Sequence, residues 1–166
     1  MIFSNMRRCS ILLRLSVAFV FLAAPVGALA QGSEDPSQQA QSLDRELAQK
    51  LTLAEGHHDL AMLYLKKGDL DKAVAEAREI LQLRFPGEYE SLVAQSMSII
   101  TEKLAEMRRF DLGQTLLDEA LKATEQTSSR AKIFRNKARL YMLAGDNDRA
   151  IDFWRRALDL ESRRIR

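Results

Sequence analysis

The sequence predicts an all-α protein built as a stack of three helical hairpins with an additional N-terminal helix. From residue 43 onward, apolar residues recur at the three- to four-residue intervals of amphipathic helices. No segment there shows the sustained alternation that strands require, and Pro86 is the only proline after residue 36. Large and small residues also recur at fixed spacings, which indicates a repeated helix pair.

The first 30 residues have the pattern of a secretory signal peptide. Basic residues precede a short apolar run, residues 15–24, and small residues end at Ala30, as signal peptidase requires. Because a membrane-spanning helix needs about 20 apolar residues, the run is too short to remain as an anchor. We therefore predict cleavage after Ala30, a bacterial exported protein in the periplasm, and no stable membrane insertion. The Arg7-Arg8 pair leaves general secretion and twin-arginine export both open.

Removal of this segment changes the charge balance of the chain. The whole sequence carries a formal net charge of +2, and the predicted signal holds three arginines and no acid. From residue 31 onward the net charge is therefore −1, which argues against nucleic-acid binding. Cys9 is the only cysteine, so the exported part has no disulfide, and its stability must come from packing.

Two segments precede the repeated region. Residues 31–42 are polar and lack an apolar period, so they predict a flexible leader. Leu43, Leu47 and Leu51 then recur every four residues, which predicts an N-terminal capping helix at 43–54. We expect this helix to lie over the first hairpin.

Six further helices are predicted in consecutive pairs. Their expected ranges are 55–67, 70–84, 88–107, 111–125, 129–144 and 147–163. Gly68-Asp69 and Gly145-Asp146 each give a helix stop followed by a helix start. Glycine adopts the left-handed conformation that ends a helix, and aspartate accepts hydrogen bonds from the free N–H groups of the next.

The three pairs share one arrangement of large and small residues. In each pair, a large residue of the first helix precedes a small residue of the second by nine positions. These residues are Tyr64 and Ala73, Leu104 and Gly113, and Tyr141 and Ala150. The small side chains allow two antiparallel helices to cross closely, and the large ones fill the space between neighbouring hairpins.

These residues and the Gly-Asp breaks resemble the tetratricopeptide repeat (TPR). The three copies are expected at about 55–87, 94–126 and 131–163. The middle copy departs from the pattern, with Thr101 at a small apolar position and Arg108-Arg109 at the turn. The resemblance implies a TPR-like α-solenoid over residues 55–166, whose first helices line a groove that binds a protein or peptide. An ordinary helical bundle is the alternative fold.

The sequence offers no constellation for catalysis or metal binding. His57 and His58 are adjacent, so on a helix they point about 100° apart and cannot share one metal ion. No glycine-rich phosphate loop and no activated nucleophile is present. We therefore predict a protein that is not an enzyme and holds no cofactor.

A group of polar residues marks the expected binding face. The predicted partner-binding residues are His58, Lys132, Arg135, Asn136 and Arg139. The last four fall at i, i+3, i+4 and i+7 of one helix, and by analogy with the family they look into the groove. Residues 130–166 carry eleven basic and five acidic residues, a net charge of +6, against −7 for residues 31–129. An acidic partner at the C-terminal end of the groove is therefore expected.

The end of the chain predicts a second contact surface. Part of an apolar stripe is left uncovered, which favours association of copies through the C-terminal helix; its residues are Ile151, Trp154, Leu158 and Ile165. Together these features predict a cell-envelope adaptor or scaffold. The alternative is a dedicated chaperone-like factor for the assembly or secretion of one envelope complex. A glycan-binding module is a third interpretation, which the small number of aromatic residues disfavours.

Overall fold

The computed structural model describes residues 36–163 and confirms the all-α prediction for this range. It contains six α-helices and one short 3-10 helix, and no strand lies within the described residues. The predicted signal peptide and its cleavage after Ala30 lie outside them, as does the first part of the predicted leader.

The six helices form three consecutive hairpins. They are α1 (Pro36–Lys67) with α2 (Leu70–Gln82), α3 (Glu90–Glu106) with α4 (Phe110–Ala123), and α5 (Thr127–Leu143) with α6 (Asn147–Ser162). The 3-10 helix, Gly87–Tyr89, leads into α3. Because only two or three residues join the helices within each hairpin, the two members of each pair run antiparallel.

The N-terminal helix differs from the sequence prediction. The predicted leader, the capping helix at 43–54 and the first helix of the repeat were expected as separate segments, but α1 is one continuous helix of 32 residues from Pro36. Proline suits the first turn of a helix, where its missing N–H needs no partner. Nothing stops the helix later, because a lone Gly56 costs only about 1 kcal/mol relative to alanine. Residues 43–54 therefore extend α1 along its axis and do not fold back over the first hairpin.

The turns between paired helices have the same geometry in all three hairpins. Gly68, Arg108 and Gly145 have positive φ angles of 79°, 61° and 83°. The next residue's N–H bonds back to a carbonyl five positions earlier, as in Asp69 N–H to Tyr64 O at 2.9 Å and Arg109 N–H to Leu104 O at 2.8 Å. The turn residues are 40 and 37 positions apart, which fixes which residues are equivalent in the three hairpins.

The aspartates that follow the two glycines cap the second helices, as predicted. Asp69 accepts a hydrogen bond from Lys72 N–H, and Asp146 accepts one from Arg149 N–H at 3.0 Å. The Lys72 side chain is the main cause that lowers the pKa of Asp69, and the Arg149 backbone N–H is the main cause that lowers the pKa of Asp146. These carboxylates therefore stabilise the helix starts in their ionised form.

The small residues near the start of each second helix are buried. Ala73, Gly113 and Ala150 are all buried, and the N–H of each bonds to the carbonyl of its helix's N-cap residue. A Cβ added to Gly113 would lie 3.1 Å from Leu140 Cδ2, so α4 is already tightly packed against α5 of the next hairpin. The middle copy tolerates Thr101 in its core because the hydroxyl donates to Met97 O at 2.7 Å.

A continuous apolar core runs through α1 to α5, and aromatic rings pack between α5 and α6. The largest fully buried apolar side chains are Ile80, Met97, Ile100, Leu104, Leu116, Leu117 and Ile133. In the third hairpin the ring of Phe153 stacks on Tyr141, with ring centroids 5.3 Å apart. Buried Lys137 reaches over Phe153 and pairs with Asp118, which compensates its charge and joins α5 to α4.

The connection between α4 and α5 is held by two charged side chains. Buried Glu90, the first residue of α3, accepts hydrogen bonds from the N–H groups of Glu125 and Gln126. Arg130 donates from Nη1 to Leu121 O at 2.7 Å, where α4 has a carbonyl without a helical partner. The second and third hairpins are thereby fixed to each other through backbone groups.

Candidate functional site

The first helices of the hairpins, α1, α3 and α5, lie side by side and form one face of the stack. A cleft of about 710 Å³ opens on this face between α1 and α3. Its lining residues are Asp59, Met62, Leu63, Leu65, Lys66, Lys103, Glu106 and Met107. Leu63 and Met107 are exposed in it, and Lys103 pairs with Glu106 at 2.8 Å on its edge. The cleft therefore presents an apolar floor with a charged rim.

A second cleft, of about 260 Å³, opens on the same face between α3 and α5. Its lining residues are Ser98, Thr101, Glu102, Ala105, Asn136, Arg139, Leu140, Met142 and Leu143. The two clefts occupy equivalent places, because Leu65 and Ala105 correspond in the repeat, as do Glu106 and Leu143. Exposed Met142 and Leu143 make the second cleft apolar as well. We call this face, with its two clefts, the groove.

The four predicted polar residues of α5 have different surroundings. Arg135 and Asn136 contact other helices, whereas Lys132 and Arg139 are exposed. Arg135 pairs with Glu161 of α6 and does not line either cleft. Asn136 faces α3, where its Oδ1 accepts from Ser98 Oγ at 3.0 Å and its Nδ2 donates to Ala94 O at 3.3 Å. Positions i, i+3, i+4 and i+7 span roughly a quarter of the helix circumference, which is wide enough to reach two neighbours.

Lys132 and Arg139 are the two predicted residues of α5 whose side chains are exposed. Arg139 lines the second cleft together with Glu102, so this cleft carries one charge of each sign. Asn136 and Arg139 line the second cleft, whereas Lys132 and Arg135 line neither cleft, and the role of each in binding a partner stays a prediction.

The two histidines bridge helices. His58, predicted as a partner-binding residue, is partly buried, and its Nδ1 lies 2.7 Å from Ser96 Oγ of α3. His57 Nδ1 lies 2.7 Å from Glu76 Oε2 of α2. Both side chains thus connect α1 to its neighbours, His57 to α2 and His58 to α3, in directions about 100° apart on the helix.

Metal-binding clusters and membrane-spanning helices are both absent from the described part of the chain. Among residues 36–163 no group of three His, Cys, Asp or Glu side chains could hold a metal ion. No helix in the same range combines the length and apolar character that a bilayer crossing needs.

Sequence reasoning did not identify the apolar floor of the groove. Its exposed members Leu63, Met107, Met142 and Leu143 come within five residues of a turn. A signal for them was available, because each first helix carries apolar residues just before its stop. The sequence analysis assigned these residues no role, and the structure leaves them exposed.

Comparison with known proteins agrees with the architecture of the first hairpin. Residues 54–85, the second half of α1 and all of α2, match the family described as tetratricopeptide repeat. No curated protein was found to match the chain. The described residues therefore form an all-α, TPR-like solenoid that contains a tetratricopeptide repeat. Such repeats generally mediate protein–protein interaction.

Proposed function

We propose that the chain is a non-catalytic adaptor of the bacterial cell envelope, which holds a protein or peptide in the groove formed by α1, α3 and α5. The observation that carries this proposal is the repeated apolar cleft between consecutive first helices. Concave sites with an apolar lining and a few polar groups are the usual form of binding sites. The tetratricopeptide repeat at residues 54–85 supports a protein or peptide as the occupant.

The lining of the clefts supports a ligand with apolar side chains. Leu63, Met107 and Met142 are exposed, although each has a large apolar side chain. Methionine is unbranched and polarizable, so it adapts to differently shaped partners. A peptide that places one apolar residue in each cleft would bury these side chains.

The charges at the C-terminal end support an acidic stretch in the same ligand. Lys132 and Arg139 are exposed on α5, and Arg139 borders the second cleft. An arginine fork binds carboxylates in pairs, which would orient the ligand along the groove.

The envelope location rests on the sequence pattern of residues 1–30. Fractionation of the host cell should recover the protein in the periplasm, with Gln31 as its first residue. Recovery in the cytoplasm with an intact N-terminus would overturn the location and leave the groove proposal standing.

Site-specific photo-crosslinking in the intact cell tests the groove. Photoreactive residues at Leu63 and at Met142 should trap the same set of proteins, since both positions border the clefts. The matched controls are Ala75 on α2 and Thr115 on α4, which are also exposed but lie on second helices. Equal trapping from the control positions would contradict a groove site. One trapped protein would favour the alternative of a dedicated chaperone-like assembly factor over a general adaptor.

The acidic character of the partner has its own test. Arg139→Glu should lower the crosslinking yield from Met142 about tenfold, because charged hydrogen-bonded contacts contribute more than about 1 kcal/mol. Lys122→Glu, an equal charge change at an exposed position of α4, is the control. An unchanged yield in Arg139→Glu would remove the acidic partner from the proposal.

A further inference from the structure

The two ends of the stack expose residues whose equivalents are buried inside it. At the C-terminal end, Ile151 and Leu158 of α6 are 50% and 60% exposed. The repeat offset of 77 positions (40 and 37) makes them equivalent to Val74 and Leu81 of α2. Those residues are only 5% and 8% exposed, because the second hairpin covers the first. The last hairpin therefore presents an apolar surface of the kind that a following hairpin covers elsewhere in the chain.

The N-terminal end shows the complementary feature. Leu53 and Leu60 of α1 are 52% and 42% exposed. Their equivalents 40 positions later, Val93 and Ile100 of α3, are 5% and 0% exposed. The α1 face also has open space, because a Cβ added to Gly56, which lies between the two leucines, would meet no atom within 4 Å.

The internal contact between the first two hairpins shows how these faces fit together. Val74, Arg78 and Leu81 occupy i, i+4 and i+7 on α2, and Arg78 forms two hydrogen bonds of 2.9 Å with Glu119 of α4. This ion pair identifies the side of α2 that meets the second hairpin. On α3, Val93 and Ile100 share a face with Ser96, which contacts His58 of α1.

The charges at the two ends repeat this ion pair. Arg78 is equivalent to Arg155 of α6, 77 positions later, and Glu119 is equivalent to Glu79 of α2, 40 positions earlier. Both Arg155 and Glu79 are exposed, and neither forms an ion pair within the described residues. Consider an α1–α2 hairpin of another copy that packs on α6 in the way that the second hairpin packs on α2. Its Glu79 would then lie against Arg155 of α6.

We propose that the uncovered face of α6 binds the α1–α2 hairpin of a second copy of this chain, head to tail. In this arrangement Ile151 and Leu158 of one copy cover Leu53 and Leu60 of the next, and Arg155 pairs with Glu79. This contact between copies repeats the contact between the first two hairpins within one chain. Apolar residues therefore meet apolar residues, and a basic residue meets an acidic one. Because each copy keeps one free face, association is open-ended.

The alternative pairing of two α6 faces is disfavoured by charge. It would place Arg155 near its own counterpart, and like charges in a contact oppose binding. It would also pack α6 only on another α6. In the contact between the first two hairpins, by contrast, α2 packs on both α3 and α4. The inference does not depend on the groove, since Leu53, Leu60, Ile151 and Leu158 line neither cleft.

Sedimentation of two complementary variants separates these arrangements. The purified protein should increase in mass with concentration, beyond the dimer. Leu60→Glu and Leu158→Glu should each remain monomeric, but their equimolar mixture should form dimers, because each supplies the intact face that the other lacks. Leu63→Glu, on the same helix but in the first cleft, is the matched control and should associate as the unaltered protein does. Unchanged circular dichroism confirms that each variant is folded.

Three outcomes of this experiment would overturn the proposal. They are a monomer at every concentration of the unaltered protein, association of Leu60→Glu alone, and a mixture that stays monomeric.

A charge exchange tests the register of the contact. Arg155→Glu and Glu79→Arg should each weaken association about fivefold, and the double variant should recover it. Failure of the double variant to recover association would show that the two residues do not meet.

Discussion

The Glu90 carboxylate accepts a hydrogen bond of 2.8 Å from the backbone N–H of Gln126, across 36 residues of sequence. Glu90 begins α3, and Gln126 is the N-cap residue of α5. One buried side chain therefore joins the starts of the two helices that border the second cleft.

Replacement of Glu90 by glutamine should lower the free energy of unfolding by about 2 kcal/mol. The reason is that the backbone N–H groups of Glu125 and Gln126 lose their charged acceptor. Urea unfolding followed by circular dichroism measures this change. Glu88→Gln, at an exposed position two residues earlier, should change it by less than about 0.5 kcal/mol. Equal effects of the two substitutions would show that the Glu90 contact contributes no specific stability.

Two glycine-to-alanine substitutions should act in opposite directions. Gly113→Ala should destabilise the protein by about 1 kcal/mol, because the new Cβ crowds buried Leu140 at 3.1 and 3.3 Å. Gly56→Ala should stabilise it by roughly 0.5–1 kcal/mol, since its Cβ meets nothing within 4 Å and alanine favours helix. Thermal unfolding compares the pair, and a stabilised Gly113→Ala would mean that α4 and Leu140 of α5 have more room between them than these distances indicate.

The turn at Arg108 should improve with glycine. Arg108 adopts a φ of 61°, a conformation that disfavours residues with a Cβ. Arg108→Gly should raise the free energy of unfolding by up to about 1 kcal/mol. This is the relief of backbone strain minus the entropy cost of ordering a glycine on folding. Gly145→Ala at the equivalent turn should lower it by a similar amount, and a destabilised Arg108→Gly would contradict the shared geometry.

Acid should weaken the start of α6. The pKa of Asp146 is lowered from its ordinary 3.8, chiefly by the Arg149 N–H, so its folded value lies below its unfolded value. Its contribution to stability is complete above pH 3.8 and is lost as the pH falls through the folded pKa. Asp146→Asn keeps a capping oxygen but does not titrate, so the stability advantage of the unaltered protein over this variant in urea unfolding should shrink on acidification. An advantage that stays constant at low pH would contradict this account.

The turns and the buried small residues could be predicted from the sequence because they depend on local chemistry. Gly68-Asp69 and Gly145-Asp146 define a stop and a cap within two residues, and the nine-residue spacing placed Ala73, Gly113 and Ala150 correctly. The turn at Arg108 was not recognisable by its residue type. The turn at Arg108 is held by the hydrogen bond from Arg109 N–H to Leu104 O. The corresponding backbone hydrogen bond is present in the other two hairpins.

The candidate site could be predicted only in part, because a helical pattern gives the direction of a side chain but not its partner. Arg135 was expected in the groove, but Glu161, 26 residues later in the sequence, holds it against α6. Leu63 and Met142 have large apolar side chains, yet both are more than half exposed. Such outcomes depend on contacts between distant segments.

The 32 residues of α1 give it a length of about 48 Å, more than twice that of the 13-residue α2 beside it. Lys50 still reaches the end of α2, where its Nζ lies 3.5 Å from Arg84 O, so the earlier turns run past their antiparallel partner. The overhang, residues 36–49, would be only marginally stable as an isolated helix because it has about 14 residues, and its order therefore propagates from the turns that α2 supports. Hydrogen exchange should therefore quicken steadily from Lys50 toward Pro36, and the overhang should act as a stalk whose stiffness is set by the first hairpin.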